Sequence, residues 1–431
     1  MVTGVIIVLI FAVIAALMIA KKLPTVLALP LMAILIAIAA GLPLKGDEGI
    51  LTFVIPQGAL KLASTYVAIL FSCWLSRILY RTGVSNTIIK KAAEFGGDKP
   101  IVISLLLCAA SVFLFTVLYG TGAVAMVGSI VLPIMLSVGV PPLVACNSFL
   151  AAMTAGYVIN PANIAALTNI TGVAQSDLYL TAGILTAFSC VFCVGILLWG
   201  FKKNGKKYAF SAEIPKDEDE EEIETVKGVR GFLACMTPFV IVLIMLIFKL
   251  DAITVFMIGL LWIIVMTFKG NWSKHCSMIV QSCYEGFKEG APTVSLLFGI
   301  GMLISAMTAP TTQAAIQPFM EAITPTTAIG LILFVCLLSP AGLYRGPFNI
   351  MGLGAGLAVS MLAVKAVPVV ALSAAFYAAF RWPTQACPTS TQVVWTANFV
   401  GYDPTTAAMK VFWPNWIITA LSVIVVVLIY V

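Results

Sequence analysis

The chain has 431 residues, 61% of them hydrophobic and only 10% charged, with a mean hydropathy of +1.08. That balance excludes a soluble globular domain, since runs near the ~20 apolar residues of a membrane helix recur throughout. The net charge of +6 sits in clusters between the apolar runs, which excludes nucleic acid as a partner and reads as membrane topology.

A first span is expected at about 3–20. It lacks a basic leader and a small-residue cleavage site, and it ends in Lys21-Lys22, a cytoplasmic anchor that puts the N-terminus outside. A second span at about 24–41 leads to a third at about 62–80. The third returns to an inner face carrying Arg77, Arg81, Lys90, Lys91 and Lys99. Residues 86–95 are amphipathic and suit the interface. A re-entrant apolar hairpin follows, 101–118 and 123–138, with its tip at 119–122. A span at 143–159 runs to a break at Asn160-Pro161-Ala162-Asn163, giving a broken helix near 156–163. A further span at 179–200 then reaches Lys202-Lys203 and Lys206-Lys207.

Residues 201–230, with an acidic run at 217–222, are expected to be a cytoplasmic linker between two repeats, 1–200 and 231–431. The second repeat then starts inside and has inverted topology. Spans at 231–249 and 252–268 meet at Lys249-Leu250-Asp251. Residues 272–289 read as an interfacial helix with Glu285 and Glu289 on a wet face and His275 solvated, before a span at 292–307. A second hairpin, 328–339 and 348–364, has its tip at 339–347. A span at 367–381 reaches the break Arg381-Trp382-Pro383-Thr384, giving a broken helix near 381–391. The last span, at 410–430, puts the C-terminus outside.

The breaks match between halves. Leu118-Tyr119-Gly120-Thr121-Gly122 corresponds to Leu343-Tyr344-Arg345-Gly346-Pro347, Pro142 to Pro368, and Asn169/Gly172 to Asn398/Gly401, at offsets of 225 to 229 residues. Paired, interrupted apolar segments point to a secondary transporter, with its site where the breaks meet. Unpaired backbone in hydrocarbon costs several kcal/mol, so such breaks survive only in protein or along a wet cavity. There, helix N-termini suit an anion and C-terminal carbonyls a cation. Candidate substrate ligands are therefore Thr121, Gly122, Asn160, Asn163, Arg345, Gly346, Asn349, Arg381, Thr384, Thr389 and Ser390. Candidate coupling-ion ligands are Tyr119, Gly120, Asn147, Gly156, Ser339 and Ser373.

Arg345 and Arg381 carry the sharpest expectation. An ionised group at membrane depth is costly, and two guanidinium forks could clamp a small organic anion from opposite sides. Snorkelling anchors are the bland alternative. No Asp or Glu falls inside a predicted span outside the interfacial segments. Na⁺ on backbone carbonyls is therefore the expected coupling ion, H⁺ the alternative, and no other cofactor is expected. The ten cysteines show no metal spacing and read as small buried hydrophobes. Paired carboxylates, HExxH and a nucleophile with a base are all missing, so an enzyme is not expected. A channel could also use re-entrant tips, but two breaks per half with arginines suit a site that binds and releases.

This all-α order of spans, hairpins and broken helices resembles the ion transporter superfamily. Within it the chain is most similar to the citrate–divalent-metal:proton symporters and their gluconate-permease neighbours. The residues that carry the resemblance are Lys21-Lys22-Leu23-Pro24-Thr25-Val26-Leu27-Ala28-Leu29, Leu132-Pro133-Ile134, and Pro383 with Pro388-Thr389-Ser390-Thr391. The resemblance implies a homodimer in a plasma membrane, a scaffold and a moving transport part, and elevator-type alternating access. It maps the tips to 119–126 and 344–350. The chain departs from the superfamily's Ser-Asn-Thr tip and from the acidic first tip of metal-citrate carriers. That favours a bare di- or tricarboxylate or sugar acid. A cation/proton antiporter of the same superfamily is the nearest rival, and the arginines would repel its cargo.

Overall fold

The computed structural model describes residues 2–20, 22–97, 99–204, 225–268 and 270–431. Lys21 of the expected anchor, Lys206-Lys207 and the acidic run at 217–222 lie outside the described residues. The described chain is helical without strands, and seven of its helices are long and apolar enough to cross a membrane, or nine if each bent pair is one span. It is an all-helical, multi-pass membrane protein.

In the first half, Val2–Ile19 and Thr25–Ala39 precede a π-helical stretch, Ile50–Gln57, that feeds Ala63–Arg81. Val84–Phe95 buries Val84, Ser85, Asn86, Thr87 and Ile89, so it is seated on protein along one face. Pro100–Phe115 and Gly120–Ser137 form the arms around the first tip. Pro142–Tyr157 and Pro161–Thr171 are bent by 63° at the expected break, and Gln175–Asn204 closes this half.

The second half opens with Gly228–Cys235 and Thr237–Phe248, bent by 50°, and Ala252–Met266. The Asp251 carboxylate caps the latter, accepting the Ile253 and Thr254 N–H groups at 3.0 and 3.1 Å. The expected interfacial helix at 272–289 does not exist as a separate element. Trp272–Thr308 is one helix of 37 residues, because its polar part has partners along Ala63–Arg81. Gly286 lets the two backbones approach until a β-carbon there would stand 2.7 Å from the Trp74 Cα. Arg77 pairs with Glu289, and Arg81 with Glu285 at 2.5 Å. His275 is buried as well, 3.0 Å from the Ile264 carbonyl, rather than solvated.

Pro310–Ile323 follows, an element the sequence reading left out although Pro310 stands at a favoured first-turn position. Ala328–Leu338 runs into tight turns over Ser339–Arg345, and the second arm begins at Gly354–Val364 rather than near 348. These two arms pack chiefly on different neighbours, the first on Phe412–Tyr430 and the second on Trp272–Thr308 and Pro310–Ile323. Val369–Ala386 continues through Arg381-Trp382-Pro383-Thr384, so the second break lies at 387–390, before Thr391–Phe399. The Thr384 hydroxyl donates to the Phe380 carbonyl at 2.9 Å, next to Ala379, whose carbonyl has no helical donor because Pro383 lacks the N–H. Gly172 and Gly401 both follow the short helix after a break in the left-handed conformation, as C-terminal stops.

Two helix groups share the work of burial. Trp272–Thr308 gathers Thr25–Ala39, Ala63–Arg81 and Gly354–Val364, while Pro142–Tyr157, Gln175–Asn204, Val369–Ala386 and Phe412–Tyr430 pack among themselves. Pro142–Tyr157 and Val369–Ala386 are buried almost throughout, and their Ala, Ser and Gly residues permit that close packing. At Gly156 a β-carbon would stand 2.5 Å from the Val112 carbonyl oxygen and 2.7 Å from Phe115. Gly156→Val is expected to destabilise the fold by about 1–3 kcal/mol, read as a lower melting temperature of the purified protein.

Candidate functional site

The first tip is tied to the first break by one side chain. Asn160 donates from Nδ2 to the Phe115 and Leu118 carbonyls, each at 3.2 Å, and its Oδ1 accepts the Ala162 N–H at 3.0 Å. All three of these bonds go to backbone, so Asn160 holds the tip in place and caps Pro161–Thr171, and it is not part of the cavity wall. Gly120 opens the helix Gly120–Ser137 with φ +88°, a value that glycine alone adopts freely. Asn163, one turn into the next helix, donates to the Tyr157 carbonyl at 2.7 Å.

The second tip is strained. Tyr344 and Arg345 are consecutive non-glycine residues with φ +56° and +61°, each costing on the order of 1–3 kcal/mol. Surrounding bonds hold them there. Tyr344 N–H reaches the Cys387 sulfur at 3.2 Å, and the Arg345 carbonyl accepts Leu353 N–H at 3.2 Å. Asn349 Oδ1 accepts Met351 N–H at 3.0 Å, and Arg345 Nη1 donates to the Met351 carbonyl at 3.1 Å. Strain of this kind persists only where the surrounding structure over-determines it.

Both tips and both breaks line one cavity of about 80 Å³. By the measure in which one water takes roughly 10–15 Å³, it has room for a small organic ion. Tyr119, Gly120 and Thr121 come from the first tip, and Tyr157 and Asn163 from the first break. Arg345, Asn349 and Met351 come from the second tip, and Phe380, Pro383, Thr384, Cys387, Ser390, Thr391 and Gln392 from the second break. Thr293, Leu296 and Leu297 of the 37-residue helix complete the wall. The Thr121 and Thr391 hydroxyls bridge the two halves at 2.6 Å.

Two helices, Gly120–Ser137 and Thr391–Phe399, begin in this wall, and Ser390 makes no side-chain cap on the second. Two others, Pro142–Tyr157 and Val369–Ala386, end there. N–H groups and carbonyls of opposite partial charge therefore meet around the cavity. Arg345 supplies the full positive charge, and no carboxylate lies within ion-pair distance of it among the described residues.

Of the candidate ligands, Tyr119, Gly120, Thr121, Asn163, Arg345, Asn349, Thr384 and Ser390 line the cavity together. The others do not. Asn147 donates to the Leu143 and Ala407 carbonyls at 3.0 and 3.2 Å, and Ser339 to the Cys336 carbonyl at 3.1 Å. Gly156 and Gly346 are points of tight packing, the latter against the Ala341 carbonyl. Thr389 faces the Cys387 sulfur at 3.2 Å, and the Ser373 hydroxyl is buried without a partner. Gly122 lies against the Glu289 carboxylate.

Arg381 corrects the expected clamp. It is fully buried and points at the last helix, where Nη2 meets Asn415 Oδ1 at 2.6 Å and Thr419 Oγ1 at 2.8 Å. Nη1 meets Gln385 at 3.3 Å, and the guanidinium stands 5.6 Å from the Phe192 ring centre. The structure thus brings one arginine to the cavity, not two. The reading from sequence also missed Tyr157, Thr293 and the Arg77–Glu289 pair. Arg77/Arg81 and Glu285/Glu289 are both spaced four apart with opposite charge, a pattern suited to two facing helices that could have signalled the last of these.

No family model matches the chain, and no curated protein matches it. Solved structures do. MtrF of Neisseria gonorrhoeae, reported with a class of antimetabolite efflux pumps, superposes with a TM-score of 0.63 over 95% of this chain and 95% of its own, at 12% identity. The YdaH transporter of Alcanivorax borkumensis, reported for its unusual topology, gives 0.58 over 89% of each chain at 14% identity. At these identities the likeness is one of fold, and it does not extend to the narrower placement beside citrate and gluconate carriers. The chain therefore has a fold shared with membrane transporters.

Proposed function

We propose that the chain is a secondary active transporter that moves a small organic anion together with a cation. The supporting observation is Arg345, presented by a strained tip to a cavity where two helix N-termini also begin and where, among the described residues, no carboxylate pairs with it. A site of that charge favours a carboxylate and disfavours the cation cargo of an antiporter. Inverted halves, elevator motion and a homodimer in the plasma membrane belong to the same proposal, with both termini outside. So does the finer kinship with citrate and gluconate carriers.

A second reading is export of an aromatic anion. Tyr119 and Tyr157 stack in the cavity wall with ring centres 5.3 Å apart, a surface suited to a flat ring. The test is thermal stabilisation of purified protein by citrate, succinate, gluconate and benzoate, each with Na⁺ or choline, since a ligand of the folded state raises its melting temperature. A shift with an aliphatic acid supports the first reading, and one with benzoate alone the second. Stabilisation by cations without any carboxylate would defeat both.

A further inference from the structure

The continuous helix Trp272–Thr308 sets a carboxylate beside the cavity. Glu289 lies four residues before the cavity-lining Thr293, about 6 Å along the axis. Its side chain is 12% exposed and pairs through Oε1 with Arg77, while Oε2 is buried without a partner. The carboxyl rests on Gly122, next to the cavity-lining Thr121, where a β-carbon would displace it. Arg77 has a second acceptor in reach, because Nη1 stands 3.9 Å from Glu285 Oε2.

We infer that Glu289 is the proton site of this transporter, coupling anion movement to a proton gradient by symport. The inference rests on the anion reading and deepens it. A proton from water adds to Oε2 of the ionised carboxylate and gives a neutral acid. Arg77 keeps its own proton and moves toward Glu285. The titratable and charged groups facing Glu289 are Arg77 and the Cys73 thiol from Ala63–Arg81 and Glu285 on its own helix, while the neighbouring Lys288 is exposed.

The direction of coupling follows from charge. Arg77, Arg81, Glu285 and Glu289 sum to zero, and one proton leaves them at +1 beside the tip. An anion in the cavity offsets that charge, so each ligand raises the affinity for the other by the same factor. Proton and anion then load and leave together.

The test uses the full chain reconstituted in liposomes. Infrared spectra across a pH series should show a carboxyl carbonyl band that titrates in the wild type and vanishes in Glu289→Gln. In Arg77→Gln the band should persist to higher pH, because the cation that favours the ionised form is gone. Identical bands in wild type and Glu289→Gln would overturn the assignment. With an inward proton gradient, the wild type should accumulate the anion chosen by the stabilisation panel. Glu289→Gln should lose accumulation and keep exchange of labelled for unlabelled anion. Retained gradient-driven accumulation in Glu289→Gln would likewise overturn it. Anion affinity should fall by up to about tenfold per pH unit on the alkaline side of the titration in the wild type, and stay flat in the variant. If no anion binds the wild type, the cargo reading fails, while the infrared titration still decides the role of Glu289.

Discussion

Arg345→Gln is expected to weaken anion binding sharply while the protein still folds. Truncating one partner of a desolvated charge pair costs about 2–5 kcal/mol, which weakens affinity by roughly 30-fold to several thousand-fold. The tip should keep its shape, because Tyr344, Leu353 and Gly354 hold it through backbone N–H groups. The folded state loses the single bond from Arg345 to the Met351 carbonyl, a matter of about 1 kcal/mol. Ligand-induced thermal shift measures affinity, and the unliganded melting temperature measures folding. Wild-type affinity in the variant would remove the cavity's cation from the mechanism.

Arg381→Gln should give the opposite signature. Its guanidinium holds Asn415 and Thr419 of the last helix and Gln385 of its own, all within a fully buried cluster. Removing the guanidinium leaves the Asn415, Thr419 and Gln385 oxygens buried without their donor, at about 1–3 kcal/mol for each stranded group. The melting temperature should drop steeply, while the fraction that remains folded binds the anion as the wild type does. A stable Arg381→Gln protein that cannot bind would restore the two-arginine clamp.

The contrast shows what the sequence could carry. The interruptions before Gly120 and at Asn160 were legible because Gly120, Pro142, Asn160 and Gly172 interrupt apolar runs in ways that backbone geometry dictates. The second break was placed six residues early because Pro383 reads as a helix breaker, whereas Val369–Ala386 continues through it. The direction Arg381 faces depends on how Phe412–Tyr430 packs, which periodicity does not encode. The polar stretch before Glu289 looked interfacial for a similar reason. Its partners, Arg77 and Arg81, lie some two hundred positions away, and a local reading of polarity assigns to water what tertiary contact assigns to protein.

The 37-residue helix has one more consequence. At 1.5 Å per residue it is about 55 Å long, while the hydrocarbon layer is only ~30 Å thick. Ordinary tilts of up to about 40° do not absorb the excess, so one end must stand clear of the lipid. Apolar residues from Ala291 onward mark the end that stays inside. Twenty residues counted back from Thr308 reach Glu289, so the carboxylate beside the tip falls at the edge of the helix's apolar part.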